Sequence, residues 1–120
     1  MKLLVFDTET TGLPESRNTS ILETSKWPHI VQISWILYDD DERKILVSQD
    51  FIIKCKVDIP ESSSKIHGIT NECSQQNGVK IEYAMKQFNN DLKFCIIKIF
   101  MYYQIIRKQN RMFHQFLNLI

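Results

Sequence analysis

Cysteines and long apolar runs are scarce in this sequence of 120 residues. Its three cysteines are odd in number and form no Cys-x-x-Cys pair, so neither a disulfide framework nor a zinc site is expected. The opening apolar run is too short for a signal peptide, and no stretch reaches the roughly 18 uncharged apolar residues of a transmembrane helix. These absences indicate a soluble intracellular protein of the cytoplasm or nucleus, with no membrane partner.

Acidic residues are absent from the end of the chain. All fourteen of them lie in residues 1–93 beside eleven Lys and Arg, a net charge of −3, whereas residues 94–120 carry four basic residues and a net charge of +4. The overall charge of +1 excludes a global basic field that would attract nucleic acid. We therefore divide the chain into residues 1–93 and an atypical basic, hydrophobic tail over residues 94–120.

The hydrophobic pattern predicts three strands followed by helices. Continuous or β-branched apolar runs place strands over Leu3–Phe6, His29–Tyr38 and Lys44–Lys56, and the first run is typical of a strand buried on both faces. The period then lengthens to that of an amphipathic helix beginning near Lys80. Its apolar stripe is Ile81, Ala84, Met85, Phe88 and Leu92. This order predicts an α/β architecture with a mixed sheet.

Two carboxylates, Asp7 and Glu9, follow the first apolar run. Residues two apart in an extended chain point to the same face, so both side chains converge on one spot at the exit of the strand. We expect Asp7 to be the more buried of the two. Two adjacent carboxylates raise each other's pKa unless a cation separates them, and hard oxygen ligands suit Mg²⁺ or Mn²⁺.

The segment Phe-Asp-Thr-Glu-Thr-Thr-Gly-Leu-Pro around this pair resembles the first motif of the DEDD-type 3′→5′ exonucleases. A second block, the His-Gly-Ile-Thr of residues 67–70, is similar to one found in the branch that contains the proofreading subunit of bacterial replicative polymerase and RNase T. Together the blocks cover roughly residues 2–92. The resemblance implies an RNase H-like fold, of which this chain carries the amino-terminal portion.

The same resemblance implies roles for five residues. Asp7 and Glu9 match two of four carboxylates that bind two metal ions during hydrolysis of the 3′-terminal phosphodiester. Thr10 matches a position that contacts the terminal nucleotide, Leu13 one that wedges against the last bases, and His67 one that contacts the nucleotide near the metals. The implied partner is a nucleic acid with a single-stranded 3′ end, DNA or RNA, and a polymerase is a further candidate.

The later family motifs, His-Asn-x-x-Phe-Asp and His-x-x-x-x-Asp, are missing from this sequence. Without them the third and fourth carboxylates and the general base are absent, so we expect an impaired exonuclease. The alternatives are a catalytically inactive nucleic-acid-binding or interaction module and a non-functional fragment of a longer exonuclease. The tail itself is typical of a truncated or misframed product, or of a divergent strand and terminal helix that lack acidic residues.

Overall fold

The structure, a computed structural model, describes residues 1–93 and Cys95. The described chain contains three strands and three α-helices, with a short 3₁₀ turn at Thr24–Lys26 between the first two strands. The strands are β1 (Lys2–Thr10), β2 (Ile30–Asp39) and β3 (Lys44–Ile52), and the helices are α1 (Glu61–His67), α2 (Asn71–Asn77) and α3 (Ile81–Leu92). The predicted order of three strands followed by helices is confirmed.

The three strands form one sheet in the order β1-β2-β3, and both neighbouring pairs are antiparallel. Parallel pairing within the described residues is limited to an isolated bridge between Ile53 and Val79. One face of the sheet, here called the core face, carries the buried side chains of β2: Val31, Ile33, Trp35 and Leu37. The opposite face, here called the open face, carries Val5 and Ile36, which lie directly opposite each other on β1 and β2.

Helix α3 packs on the core face through the apolar stripe that the sequence predicts. Its Phe88 is 1% exposed and makes edge-to-face contacts with Phe6, at 5.4 Å between ring centroids, and with Trp35, at 5.1 Å. Ala84 of the same stripe is fully buried in this cluster. Burying a large aromatic side chain stabilises the fold by about 1.5–3 kcal/mol. Helix and sheet therefore share one hydrophobic core.

The first strand differs from its prediction in extent and in burial. It continues through Thr10, so Asp7 and Glu9 lie within β1 and not at its exit. Val5 is 42% exposed, so the expectation of a strand buried on both faces is wrong. The physical reason is that, among the described elements, α3 packs on the core face, and an antiparallel sheet tolerates one exposed face.

The third strand ends four residues earlier than predicted, because helix α2 replaces a neighbouring strand there. The hydroxyl of Ser74 in α2 donates to the carbonyl of Ile53 at 2.8 Å and accepts from the backbone N–H of Cys55 at 2.9 Å. Between them, the N–H of Lys54 donates to the carbonyl of Val79 at 2.8 Å. The N–H of Ile53 makes a last bond to β2, to the carbonyl of Val31 at 2.8 Å, and beyond it the chain is held by Ser74 and Val79, so the regular pairing of β3 ends there.

The predicted tail, residues 94–120, lies outside the described residues apart from Cys95. The expectation that residues 95–100 take the place of a fourth strand stays a prediction. Among the helices of the described residues, none combines the length and the apolar character needed to cross a membrane.

Candidate active site

Asp7 and Glu9 lie side by side on the open face of β1. Asp7 is directly opposite Ser34 of β2, and Glu9 is directly opposite Gln32. The register shifts immediately after Glu9, so the strand leaves regular pairing just beyond the acidic pair. Both side chains lie on one face of the strand, because residues i and i+2 of a strand share a face, and their role in binding a metal stays a prediction.

The two carboxylates differ in their surroundings. Asp7 is exposed and accepts one hydrogen bond, from the backbone N–H of Thr8 at 2.9 Å. Glu9 is half-buried, and burial together with the neighbouring Asp7 carboxylate raises its pKa, while the charge of His67 lowers it. The expectation that Asp7 is the more buried is wrong, because Glu9 is the acid that lies close to the end of α1. Neither forms an ion pair with any described residue.

His67 is the last residue of α1, next to the turn that brings the chain back from the site. Gly68 ends the helix in the left-handed conformation at φ 79°, a region that favours glycine. The backbone N–H of Ile69 donates to Nδ1 of His67 at 3.1 Å. In the neutral ring Nε2 therefore carries the proton, and that buried atom has no hydrogen-bond partner within residues 1–93 and Cys95. Nε2 is therefore available to donate a hydrogen bond, and a nitrogen that carries a proton cannot bind a metal ion.

The two other predicted residues lie on the segment that follows the acidic pair. Thr10 is 8% exposed, and its hydroxyl donates to the carbonyl of Gly12 at 2.8 Å, which fixes the turn after β1. Leu13, three residues later, is 64% exposed. The hydroxyl of Ser63 in α1 donates to the carbonyl of Thr11 at 2.9 Å and ties this turn to the helix that carries His67. The turn after β1 and the helix that carries His67 are therefore held together by a hydrogen bond.

Asp91, the last acidic residue of the sequence, does not join the acidic pair. Its Oδ2 accepts a hydrogen bond from Nε1 of Trp35 at 2.8 Å, and Trp35 is 1% exposed on the core face. Asp91 is therefore on the opposite side of the sheet from Asp7 and Glu9. Among the described residues, no group of three or more His, Cys, Asp or Glu side chains is arranged to hold a metal ion.

Three polar residues that the sequence did not single out lie beside the pair on the open face: Gln32, Ser34 and Asp50. Asp50 of β3 is directly opposite Ser34, which in turn is directly opposite Asp7. Strand pairing could have located them, but only after the register of both hairpins was known. The sequence carries no local signal for that register.

The chemistry of this arrangement is that of a small oxygen-rich site. The two carboxylates share one face of β1, and repulsion from Asp7 adds to the effect of burial in raising the pKa of Glu9. Anionic oxygen favours Mg²⁺ or Mn²⁺ over softer metals. With two carboxylates, the described residues fit one such ion.

The match of the sequence to known families identifies the chain. The sequence profile of the exonuclease family named for RNase T matches residues 4–116. The chain belongs to this exonuclease family. The membership confirms the resemblance to the DEDD-type exonucleases that the Asp7–Glu9 motif indicates. No match was found among curated proteins.

Solved exonuclease structures are similar to this exonuclease-family chain in fold. The structure of Escherichia coli exonuclease I in complex with a dT13 oligonucleotide has a TM-score of 0.69 and 16% identity and covers 98% of this chain. Exonuclease I from Methylocaldum szegediense has a TM-score of 0.67 and 19% identity and covers 92% of this chain. This chain spans only 23% and 22% of those two proteins. At such identities the likeness confirms the RNase H-like fold class.

Proposed function

We propose that this chain acts at the 3′ ends of single-stranded nucleic acids as a divalent-metal-dependent 3′→5′ exonuclease with impaired activity. The observation that carries the proposal is the pair Asp7 and Glu9. They share the open face of β1, and neither forms an ion pair with a basic group of the described residues. His67, the last residue of α1, supplies an N–H donor that has no partner among residues 1–93 and Cys95. Carboxylates for a metal and a donor for a phosphate oxygen are what such a reaction needs.

Asp7 and Glu9 would hold one Mg²⁺ or Mn²⁺ ion. Their donor set fits the ion, because a divalent cation relieves the repulsion that contributes to the raised pKa of Glu9. When bound, such an ion polarises the phosphodiester as a Lewis acid. The two carboxylates orient it against the open face.

The remaining predicted residues would bind the terminal nucleotide. Nε2 of His67 donates to an oxygen of the nucleotide, since its proton is fixed by the bond that Nδ1 accepts. Leu13 is exposed enough to pack against the terminal bases. Thr10 takes part by holding the turn that carries Leu13, because its hydroxyl is bonded to Gly12 within that turn.

The impairment follows from the number of acidic groups. A two-metal site uses four carboxylates in this family, and Asp91 lies on the wrong side of the sheet to become a third. We retain the division of the chain at residue 93, because residues 94–120 contain no acidic side chain that could replace the missing ones. The absence of a positioned general base typically costs about 10²–10⁴ in rate.

A second candidate function is a catalytically inactive module that binds nucleic acid. The observation that favours it is that the described residues contain no cluster of three metal-binding side chains. A polymerase as partner, the place in the cell and the origin of the tail stay predictions. Sequencing the transcript across the codons for residues 88–100 tests the misframed origin.

The test is a nuclease assay with a 5′-labelled single-stranded DNA oligonucleotide and either Mg²⁺ or Mn²⁺. The proposal expects slow, stepwise shortening from the 3′ end that stops when Asp7→Asn is introduced. Asp40→Asn at the exposed tip of the β2–β3 hairpin is the matched control, because it removes the same charge far from the site. Binding of the oligonucleotide without shortening supports the inactive module, and neither binding nor shortening contradicts both functions.

A further inference from the structure

A row of polar side chains extends from the acidic pair across the open face. Ser34 of β2 lies directly between Asp7 of β1 and Asp50 of β3, and Gln32 lies directly opposite Glu9. Side chains that are directly opposite on neighbouring strands have Cβ atoms about 4.5–5.5 Å apart. Ser34 and Gln32 are therefore the cross-strand neighbours best placed to donate to the two carboxylates.

Both of these neighbours donate to Asp50 instead. The hydroxyl of Ser34 donates to Oδ1 of Asp50 at 2.8 Å, and Nε2 of Gln32 donates to the same oxygen at 2.8 Å. Within residues 1–93 and Cys95, no side chain donates to Asp7 or to Glu9, and Asp7 receives only the backbone bond from Thr8. The oxygens of the acidic pair remain available to a cation.

The orientation of each donor follows from its chemistry. A serine hydroxyl has one proton, and because Asp50 takes it, Ser34 can face Asp7 only as an acceptor. The amide of Gln32 turns its nitrogen to Asp50, so its carbonyl oxygen lies on the other side of the amide group. Acceptor oxygens beside two carboxylates make the local potential more negative, which favours the binding of a cation.

We propose that Asp50 is a positioning residue for the cation site, which it serves by holding the Ser34 and Gln32 donors away from Asp7 and Glu9. The inference rests on the proposed function, since it concerns the same metal ion. Loss of Asp50 would free both donors to bond to the acidic pair, and those bonds would compete with the ion. A hydrogen bond to a charged group is typically strong enough to change an affinity by about tenfold or more, so a freed donor on either carboxylate competes measurably with the ion.

Two simpler roles for Asp50 must be separated from this one. Its charge alone attracts a cation across two strand spacings, about 10 Å, and salt weakens this attraction. Alternatively, its bonds to Ser34 and Gln32 only stabilise the sheet. Asp50→Asn removes the charge but keeps an acceptor for both donors, whereas Asp50→Ala removes both.

The experiment is calorimetric titration of the full chain with Mn²⁺, for the wild type, Asp50→Ala, Asp50→Asn and the double variant Asp50→Ala/Ser34→Ala. We expect Asp50→Ala to bind Mn²⁺ at least tenfold more weakly than Asp50→Asn, and the double variant to recover part of the loss because one freed donor is gone. Urea unfolding of each variant checks that all are folded, as expected for an exposed position.

The outcomes separate this inference from the function on which it rests. Equal affinities of the Asp50→Ala and Asp50→Asn variants, with a wild type that binds Mn²⁺, overturn the positioning role and leave the proposed function standing. No recovery in the double variant also counts against the role of the Ser34 donor. A wild type that binds no Mn²⁺ overturns the proposed metal site, and the inference is overturned with it.

Discussion

Replacing Ser74 by Ala tests how the fold holds the chain after β3. Ser74 is fully buried, and its hydroxyl serves both the carbonyl of Ile53 and the N–H of Cys55. Alanine fills nearly the same space but leaves both backbone groups without a partner. Each buried group left unsatisfied costs about 1–3 kcal/mol, so the free energy of unfolding should fall by about 2–6 kcal/mol. A domain of this size is stable by only about 5–15 kcal/mol, so the loss is large.

The assay is equilibrium unfolding in urea, followed by tryptophan fluorescence. Ser62→Ala in α1 is the matched control, because it is the same substitution inside a short helix but at an exposed position with no side-chain hydrogen bond among the described residues. Its effect on the free energy of unfolding should stay within about 0.5 kcal/mol. A loss for Ser74→Ala that is no larger than that of the control would refute the role assigned to the hydroxyl.

Two further predictions concern packing and pH. A Cβ at Gly78 would lie 2.2 Å from the carbonyl oxygen of Ser74 and 2.5 Å from the backbone nitrogen of Lys54. Gly78→Ala should therefore destabilise the fold by about 1–3 kcal/mol or more and lower the midpoint of urea unfolding. An unchanged midpoint contradicts the close approach. Because the folded pKa of Glu9 is raised above 4.5, its contribution to stability is lost as pH rises from about that value through the folded pKa. As the pH rises through this range, the wild type should therefore lose free energy of unfolding that the Glu9→Gln variant keeps. Urea unfolding at several pH values measures the difference between the two, and a difference that does not change with pH is the contrary result.

The sequence predicts the elements of this fold well because their signals are local. The stripe that contains Ala84 and Phe88 repeats at the period of a helix, and both residues are buried in α3. The β-branched run over His29–Tyr38 likewise forms β2 (Ile30–Asp39). Asp7 and Glu9 share a face because strand geometry requires it, whatever the rest of the chain does.

Features that depend on distant contacts could not be predicted in this way. The end of β3 is set by Ser74, which is 21 residues beyond Ile53 in the chain. Glu9 is more buried than Asp7 and is close enough to His67, at the end of α1, to feel its electrostatic effect. Asp50 reaches the site only through two strand pairings. Each of these depends on register or helix placement, for which a single sequence carries no local signal.

The proposed function requires that Asp7 and Glu9 together hold one divalent ion on the open face of β1. Calorimetric titration of the wild type with Mn²⁺ tests it most directly, with Asp7→Asn and the charge-matched control Asp40→Asn beside it. We expect one ion per chain for the wild type and for Asp40→Asn, and no measurable binding for Asp7→Asn. Equal binding by the wild type and by Asp7→Asn would contradict it.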